Sequence, residues 1–339
     1  MTEKDVVREG VNEISKNLGD ISFEDQTILV TGGAGFLGSW ICDVLISQNA
    51  KVICVDNLAS GLKNNISHLL TQKNFKFISH DASQPICLGE KIDVVMHLAS
   101  RASPLEFDKY PIEIIKANTF GTMVSLEIAK KNNARFLFTS TSEVYGDAEV
   151  VPTPETYNGN VNPIGVRGCY DESKRCGEAL CMAYLRQHGV DVRIARIFNT
   201  YGPRMRADGV YGRVVPRFIN QALKNEAITI FGDGKQTRSF CYVTDQIEGL
   251  LRLAWFDGAK GEVVNIGNPT EITILELAEV VRKVTDSNSQ LQFNPLPPDD
   301  PKRRCPDINK AKEILKWRPK IELEKGLKKT VKWFKLMIQ

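Results

Sequence analysis

The sequence has few of the residues that bind metals or cross-link a chain. Only four histidines occur among 339 residues, and no two of them form a His-x-x-x-His pair. The eight cysteines include no Cys-x-x-Cys pair and are scattered through apolar or helical stretches, as reduced packing residues would be. We therefore expect neither a zinc site nor any other metal site.

Long apolar runs and a strong charge of one sign are also absent. No run approaches the roughly 20 apolar residues that span a bilayer, and the polar, acid-rich start is not typical of a signal peptide. Lys and Arg number 44 against 41 Asp and Glu, a balance that does not indicate a nucleic-acid-binding protein. Ordinary hydrophobic (42%) and charged (25%) fractions exclude a disordered chain. We expect a soluble cytoplasmic protein.

Short apolar segments alternate with helical patterns through the first 200 residues. The apolar segments predict strands at 27–30, 52–55, 75–79, 94–98, 135–140 and 192–197. The patterns between them predict helices that include 36–47, 111–131 and 171–188. Such an alternation is typical of a parallel sheet covered by helices on both faces. The fold class is therefore α/β, with a Rossmann-like doubly wound parallel sheet.

A glycine motif stands between the first strand and the next helix. Gly32, Gly35 and Gly38 follow the Gly-x-x-Gly-x-x-Gly form of the Rossmann fingerprint, with Phe36 and Leu37 inside it. Glycine has no Cβ to keep the backbone away from a pyrophosphate, and the helix N-terminus offers free N–H groups to that anion. Because the motif lies between a strand and a helix, it indicates a dinucleotide site.

Asp56 follows Gly32 by 24 positions, near the spacing of an acid that binds the cofactor ribose. A carboxylate there accepts hydrogen bonds from ribose hydroxyls and repels a 2′-phosphate, which favours NAD over NADP. The alternative is a simple Asp-Asn turn. Asp81 could meet the adenine edge or be a surface acid. Other residues near strand ends are also predicted to line the cofactor site: Asn57, Ala82, Leu98, Ala99 and Ser100.

A second constellation follows the fifth predicted strand. Thr141 stands at its end, and Tyr170 and Lys174 lie four positions apart on a predicted helix, hence on one face. The ammonium group would lower the pKa of the phenol, which could then take a proton from a sugar hydroxyl while hydride leaves the same carbon. A Tyr-x-x-x-Lys pair alone is weak evidence, but beside a Rossmann fingerprint it indicates a dehydrogenase site.

From residue 27 to 335 the chain resembles the extended short-chain dehydrogenases/reductases that act on nucleotide sugars. Within that group it is most similar to the UDP-glucuronate decarboxylases, also called UDP-xylose synthases. The matching segments are 28–38, 97–100, 118–122, 140–146, 162–165, 169–172, 195–200, 202–204, 212–215, 236–238 and 299–308. The resemblance implies NAD as cofactor, a UDP-sugar as substrate and a homodimer built on helices 111–131 and 171–188.

The resemblance also implies roles for individual residues. Thr141, Tyr170 and Lys174 would form the hydride-transfer triad. Glu143 would lie near the sugar C5 and carboxylate, and Arg304 would bind that carboxylate or assist reprotonation. Further cofactor contacts would come from Asn118, Thr139, Thr200 and Arg213. Further substrate contacts would come from Lys116, Ser142, Tyr184, Asn199, Thr229, Phe231 and Arg238. On the residues alone, Glu143 could also be a buried helix-start acid and Arg304 part of a solvated loop.

Related activities on this fold remain alternatives. Nucleotide-sugar 4,6-dehydratases carry an acid where Ser142 stands, and simple 4-epimerases usually have a small residue in place of Glu143. A decarboxylase that stops at the 4-keto pentose, and a non-catalytic NAD-binding protein, are further alternatives. Two departures from the decarboxylase pattern concern the substrate: Arg101 replaces the usual Pro, and the loop 206–212 is longer than usual.

The second part of the chain has a different composition. Gly and Pro become frequent after residue 200, and short strands at 228–231 and 263–266 alternate with helices at 215–224, 244–256, 273–284, 309–316 and 323–337. We predict a helical extension (1–22), an NAD-binding domain (23–200) and a smaller α/β nucleotide-sugar-binding domain (201–339), with the chain crossing between the last two. The extension places Val7, Val11, Ile14 and Leu18 on one helical face, which should pack on the domain surface.

Overall fold

A computed structural model describes residues 3–207, 213–296 and 302–338. Three features singled out from the sequence lie partly outside them: the loop 206–212 and the matching segments 212–215 and 299–308. The described strands are β1 Thr27–Thr31, β2 Lys51–Asp56, β3 Phe75–Ser79, β4 Val94–His97, β5 Arg135–Thr141, β6 Val192–Ile197, β7 Thr200–Tyr201, β8 Ile228–Phe231, β9 Thr237–Ser239, β10 Cys241–Tyr242, β11 Val263–Ile266, β12 Glu271–Thr273 and β13 Leu291–Asn294. The α-helices are α1 Glu3–Leu18, α2 Phe36–Ser47, α3 Pro111–Asn132, α4 Gly168–His188, α5 Val214–Leu223, α6 Val243–Trp255, α7 Ile274–Thr285, α8 Asn309–Leu315 and α9 Leu323–Ile338.

Seven strands form one parallel sheet in the order β11-β6-β5-β4-β1-β2-β3. The chain runs outward from β1 to β3 on one side and from β4 to β11 on the other, so the direction reverses between β1 and β4. In open sheets of this kind, ligands bind at the carboxyl ends of the strands beside that reversal. The predicted doubly wound parallel sheet is confirmed.

Alternate residues of the central strands face two separate apolar cores. Ile28 and Val30 of β1 pack in the core that includes α1, α2 and α6, whereas Leu29 packs in the core that includes α3 and α4. Because both faces are covered, the strands are apolar at successive positions instead of alternating. This is why short apolar runs sufficed to predict them.

The N-terminal helix α1 packs on α2, α6 and α9. Val7, Val11, Ile14 and Leu18 are all buried there. Gly10 lies against Trp40 of α2, since a Cβ on Gly10 would come within 2.7 Å of the indole ring. The helix therefore joins the sheet region to the C-terminal helix.

The second half of the chain contains three two-stranded sheets, β7 with β10, β9 with β12, and β8 with β13. Helices α5, α7 and α9 pack against one another beside them. Strand β11, however, returns to the edge of the main sheet beside β6. The chain thus recrosses the predicted boundary near residue 200; the division into domains itself stays a prediction.

Membrane-spanning helices and clusters of metal ligands are both absent from the described ranges. Within residues 3–207, 213–296 and 302–338, the helices are too short or too polar to cross a membrane. The His, Cys, Asp and Glu side chains of the same ranges form no group that could hold a metal ion.

Candidate active site

A cavity of about 1180 Å³ opens at the carboxyl ends of the main sheet's strands. Its lining includes the glycine loop after β1, the ends of β2, β4 and β5, and, from the second half of the chain, Phe231, Arg238 and Arg304. Pockets for a single small ligand usually measure roughly 300–1,000 Å³. The volume therefore accommodates a dinucleotide together with a second ligand.

The glycine loop packs tightly against the backbone that follows β4. Gly32 has φ +71°, and a Cβ there would stand 2.7 Å from the amide nitrogen of Ala99. A Cβ on Gly38 would stand 2.2 Å from the carbonyl oxygen of Gly32. Helix α2 begins directly after Gly35 with no side chain capping it, so its N-terminus is open to an anion in the cavity.

Asp56 ends β2 and lines the same cavity. Its Oδ2 accepts a hydrogen bond from Ala34 N at 3.0 Å, and its Oδ1 accepts one from Leu58 N at 2.8 Å. Burial raises the pKa of Asp56, and these two backbone bonds oppose the rise. These backbone N–H groups hold the carboxylate in place. The remaining lone pairs of the carboxylate can accept hydrogen bonds from ribose hydroxyls.

All the predicted cofactor residues except Asn118 line the cavity. They are Gly32, Gly35, Phe36, Leu37, Gly38, Asp56, Asn57, Asp81, Ala82, Leu98, Ala99, Ser100, Thr139, Tyr170, Lys174, Thr200 and Arg213. The buried hydroxyl of Ser100 has no hydrogen-bond partner in the structure, which leaves it available to a ligand. Together with the glycine cradle and Asp56, these residues fit NAD.

Asn118 is outside this wall, contrary to the role carried over for it. It is fully buried on α3, and its amide Nδ2 donates to Ser173 Oγ on α4 at 2.9 Å. Ser173 Oγ in turn donates to the Tyr170 carbonyl at 3.0 Å. Asn118 therefore supports the helix that carries Tyr170 and does not line the cofactor space.

Tyr170 and Lys174 lie on the buried face of α4, next to the end of β5. The phenol of Tyr170 is hydrogen-bonded with Thr141, and burial raises the pKa of Tyr170 to about 12 against that bond. Lys174 Nζ donates to the Thr139 carbonyl at 2.7 Å and lies 6.0 Å from the Tyr170 ring centre. Burial lowers the pKa of Lys174 to about 7. The helical spacing thus brings the predicted triad together at one place in the cavity.

Glu143 is held by two arginines beside this triad. One carboxylate oxygen contacts Arg304 Nη1 and the other contacts Arg167 Nη2, while Glu143 N donates to Thr141 Oγ1 at 3.2 Å. Burial would raise the pKa of Glu143, but the positive charges of Arg304, Arg167 and Arg238 outweigh it and hold the pKa below its usual value. Glu143 is therefore a carboxylate locked in place.

Five of the seven predicted substrate residues lie in the cavity wall: Lys116, Ser142, Asn199, Phe231 and Arg238. Tyr184 does not, because it is on the outer part of α4 and its hydroxyl donates to Glu127 Oε1 of α3 at 2.6 Å. Thr229 does not either, because it is buried behind the wall and its Oγ1 accepts from Gln221 Nε2 at 2.9 Å. We therefore assign no substrate contact to these two.

Several cavity residues were not among the predicted site residues. Arg167 stands three positions before Tyr170 and pairs with both Glu143 and Asp171. Arg217 lines the cavity with its guanidinium 4.8 Å from the Phe231 ring centre. Arg167 directly precedes α4, and its spacing of four positions to Asp171 was the available signal in the sequence. The pairing of Arg167 with Glu143 left no such signal.

Arg101, the departure noted above, also lies in the wall. Its Nη1 donates to Glu106 Oε1 at 2.8 Å, and its guanidinium stacks 4.3 Å over the Tyr110 ring. These contacts tie the loop after β4 to itself beside the cavity. An arginine at this position therefore shapes the mouth of the site.

The fold and the glycine cradle define a dinucleotide-binding α/β protein of the Rossmann type. The chain belongs to the NAD dependent epimerase/dehydratase family, whose model matches residues 28–267. NAD is accordingly its cofactor, and the predicted membership of the extended short-chain dehydrogenases/reductases is confirmed.

Named relatives are similar over most of the chain. UDP-glucuronic acid decarboxylase 4 of Arabidopsis thaliana is 52% identical over 308 residues, which are 91% of this chain and 68% of the relative. UDP-glucuronic acid decarboxylase 1 of Danio rerio is 50% identical, covering 91% of this chain and 72% of the relative.

Solved structures of 4-epimerases share the fold. UDP-glucose 4-epimerase of Thermotoga maritima, solved with UDP-glucose, has a TM-score of 0.85 at 34% identity, with 93% of this chain and all (100%) of the other covered. UDP-glucuronic acid 4-epimerase of Bacillus cereus, solved with UDP-glucuronic acid and NAD, has a TM-score of 0.81 at 30% identity, with 92% and 100% covered.

Proposed function

We propose that this protein converts UDP-glucuronate to UDP-xylose and CO₂ through a 4-keto intermediate, with NAD recycled in place. The observation that carries the proposal is the pair of arginines around Glu143, directly beside Tyr170 and Thr141. A site for simple hydroxyl oxidation needs no such cluster, whereas a site that handles a sugar carboxylate does. The decarboxylase relatives at about half identity support the same reaction.

NAD⁺, when bound, supplies the acceptor for the C4 hydride and returns that hydride in the last step. The chain's own residues manage the proton. Tyr170 takes it from the C4 hydroxyl, and Thr141 hydrogen-bonds with Tyr170 and orients that hydroxyl. Arg213 is the positive charge that lowers the pKa of Tyr170, and Lys174, 6.0 Å from the Tyr170 ring centre, adds another when it is protonated. A positive charge near the phenol favours the phenolate that must form.

The ketone at C4 explains the loss of CO₂. The C6 carboxylate is then β to a carbonyl, so its departure leaves an enolate whose charge resides on the C4 oxygen. Tyr170 and Thr141 can donate hydrogen bonds to that oxygen. Arg304 and Arg167 meet the carboxylate region, and Glu143 fixes both guanidinium groups. Protonation at C5 completes the pentose skeleton.

The deciding experiment is incubation of the NAD-loaded protein with UDP-glucuronate, with the product identified by mass spectrometry and CO₂ measured. We expect CO₂ and UDP-xylose in equal amounts. A UDP-hexuronate isomer without CO₂ would make the protein a 4-epimerase instead, and the 4-keto pentose with NADH release would make it the other type of decarboxylase. No turnover would indicate a binding protein.

We further propose a homodimer in a reducing compartment, which we take to be the cytoplasm. The outward side of α3 carries the exposed apolar residues Ile112, Ile115, Phe120 and Met123. An exposed apolar patch of this kind is typical of a protein–protein interface. All eight cysteines are free thiols, which suits a reducing environment. Subcellular fractionation tests the compartment.

A further inference from the structure

The carboxylate that the proposed reaction removes enters a site that already contains two carboxyl groups. Arg167 connects them: Nη2 contacts Glu143, and Nε lies 3.6 Å from Asp171 Oδ2. Arg304 contacts the other oxygen of Glu143. Arg167 and Arg304 thus contact both carboxyl groups before any substrate is present, and Arg238 adds a third positive charge that acts on Glu143.

Asp171 is the hidden member of this cluster. It follows Tyr170 in the first turn of α4, is only 5% exposed and lies behind the cavity wall. Its Oδ1 has no hydrogen-bond partner in the structure. The charged groups that act on Asp171 are Glu143, Arg167, Arg304 and Glu172. Burial, reinforced by the negative charge of Glu143, raises the pKa of Asp171 to about 7.

A third carboxylate changes the charge balance. Arg304 has a buried Nη2 without a partner and lies in the cavity wall, so an incoming sugar carboxylate can bind there. Arg167 and Arg304, the two positive charges that act on Asp171, would then be shared among three carboxylates in a buried place, where like charges disfavour ionisation. Protonation is least costly at the oxygen that accepts no hydrogen bond, which is Oδ1 of Asp171.

We propose that Asp171 takes up one proton from solvent when the hexuronate carboxylate binds, and releases it once that carboxylate has left as CO₂. The proposal rests on the proposed function. The exchange balances in itself: a carboxylate gains a proton on binding and loses it after the third negative charge has gone. This proton is separate from the one that the overall reaction adds at C5. Asp171 is thus a charge-compensating residue that acts through Arg167 and Glu143.

The test measures proton uptake on binding by calorimetry in buffers of different ionisation enthalpy, at about pH 8. Tyr170→Phe is the background, so that UDP-glucuronate binds without turning over. Since Asp171 is mostly ionised there before binding, we expect uptake approaching one proton per site with UDP-glucuronate and almost none with UDP-xylose. Adding Asp171→Asn should abolish the uptake. Adding Glu226→Gln, a change at an exposed acid between α5 and β8 that is not among the charges acting on Asp171, should preserve it.

Equal uptake with the two ligands, or unchanged uptake in the Asp171→Asn variant, would overturn the proposal. If that variant does not fold, infrared difference spectra of Tyr170→Phe decide: a protonated-carboxyl band must appear with UDP-glucuronate and be absent with UDP-xylose. Failure of the proposed function is distinguishable, because the wild-type protein would then release no CO₂. Failure of this inference alone leaves CO₂ release intact.

Discussion

Tyr170 is the group that moves the C4 proton in the proposed reaction, and its hydroxyl can be removed with little change in shape. We expect Tyr170→Phe to lower kcat by about 10²–10⁴-fold, the usual contribution of a positioned acid–base group. NAD binding should persist, because the glycine loop and Asp56 are untouched. Tyr184→Phe is the matched control, since that hydroxyl contacts Glu127 outside the cavity. Full activity in the Tyr170 variant would remove it from the triad.

The planar guanidinium of Arg304 can donate two parallel hydrogen bonds to a carboxylate, which a lysine cannot do. We expect Arg304→Lys to raise the KM for UDP-glucuronate and lower kcat/KM by about 10–100-fold, since hydrogen bonds to charged groups contribute about 1.5–3 kcal/mol. Inhibition by UDP-xylose, which has no carboxylate, should change little. Arg303→Lys is the control, because Arg303 is exposed and pairs with Glu271. Equal losses for both ligands would indicate a merely structural role.

Lys174 serves the proposed reaction, but its buried ammonium group lowers the free energy of unfolding of the protein. Its pKa falls from 10.5 in the unfolded chain to about 7 in the folded protein, so between those values the unfolded chain binds more protons. The resulting penalty is fully present below pH 7 and disappears as the pH rises toward 10.5. Replacement by Met removes the buried ammonium and also the hydrogen bond to the Thr139 carbonyl, which contributes about 1 kcal/mol.

We therefore expect Lys174→Met to be inactive yet about 3–4 kcal/mol more stable at pH 7 without ligands, because the fall in pKa corresponds to about 5 kcal/mol at about 1.4 kcal/mol per unit and the lost hydrogen bond offsets about 1 kcal/mol of it. Urea unfolding at several pH values measures this. The gain should shrink steadily toward pH 10. A variant that is less stable than the wild type at pH 7, or a gain independent of pH, would contradict the argument.

At the scale of elements, the sequence predicted most helices and strands to within a few residues. Strands buried on both faces and helices with a strong apolar period leave a local signal. Tyr170 and Lys174 were found for the same reason, because helical spacing is local. Arg167 and Glu143 stand 24 positions apart in the sequence, and no local pattern encodes their approach. Tyr184 and Thr229, for which the resemblance implied substrate contacts, lie outside the cavity wall, because a family role does not specify the direction of one side chain.

Helix α1 gives an element-scale prediction. A side chain at Gly10 would meet the Trp40 ring at 2.7 Å, and that ring is fixed by a hydrogen bond from Nε1 to the Pro203 carbonyl at 3.1 Å. We expect Gly10→Val to destabilise the protein by about 1–3 kcal/mol, the usual cost of overpacking a core. Asn12→Ala on the exposed side of α1 is the control and should not destabilise. Urea unfolding of both variants checks this, and an unchanged midpoint in Gly10→Val would show that α1 detaches without cost.

At the scale of the whole molecule, the two halves of the chain share both a sheet and a cavity. Strand β11 closes the edge of the main sheet, and α1 packs against both α2 and α9. The cofactor residues come mainly from the first half, while Phe231, Arg238 and Arg304 come from the second. The proposed reaction therefore depends on the position of the C-terminal part relative to the sheet. Strand β11 and helix α1 both hold the C-terminal part in that position.

The apolar side of α3 leads to the last prediction. Phe120 is 53% exposed there, with Ile112, Ile115 and Met123 exposed on the same helix. Burying this surface between two copies would remove it from water, and an aspartate in the middle would be left without a partner charge. We expect Phe120→Asp to convert a dimer into monomers in sedimentation velocity at micromolar concentration. Phe293→Asp, at a side chain that is 55% exposed on β13, should leave the dimer intact. A wild-type protein that sediments only as a monomer would refute the assembly.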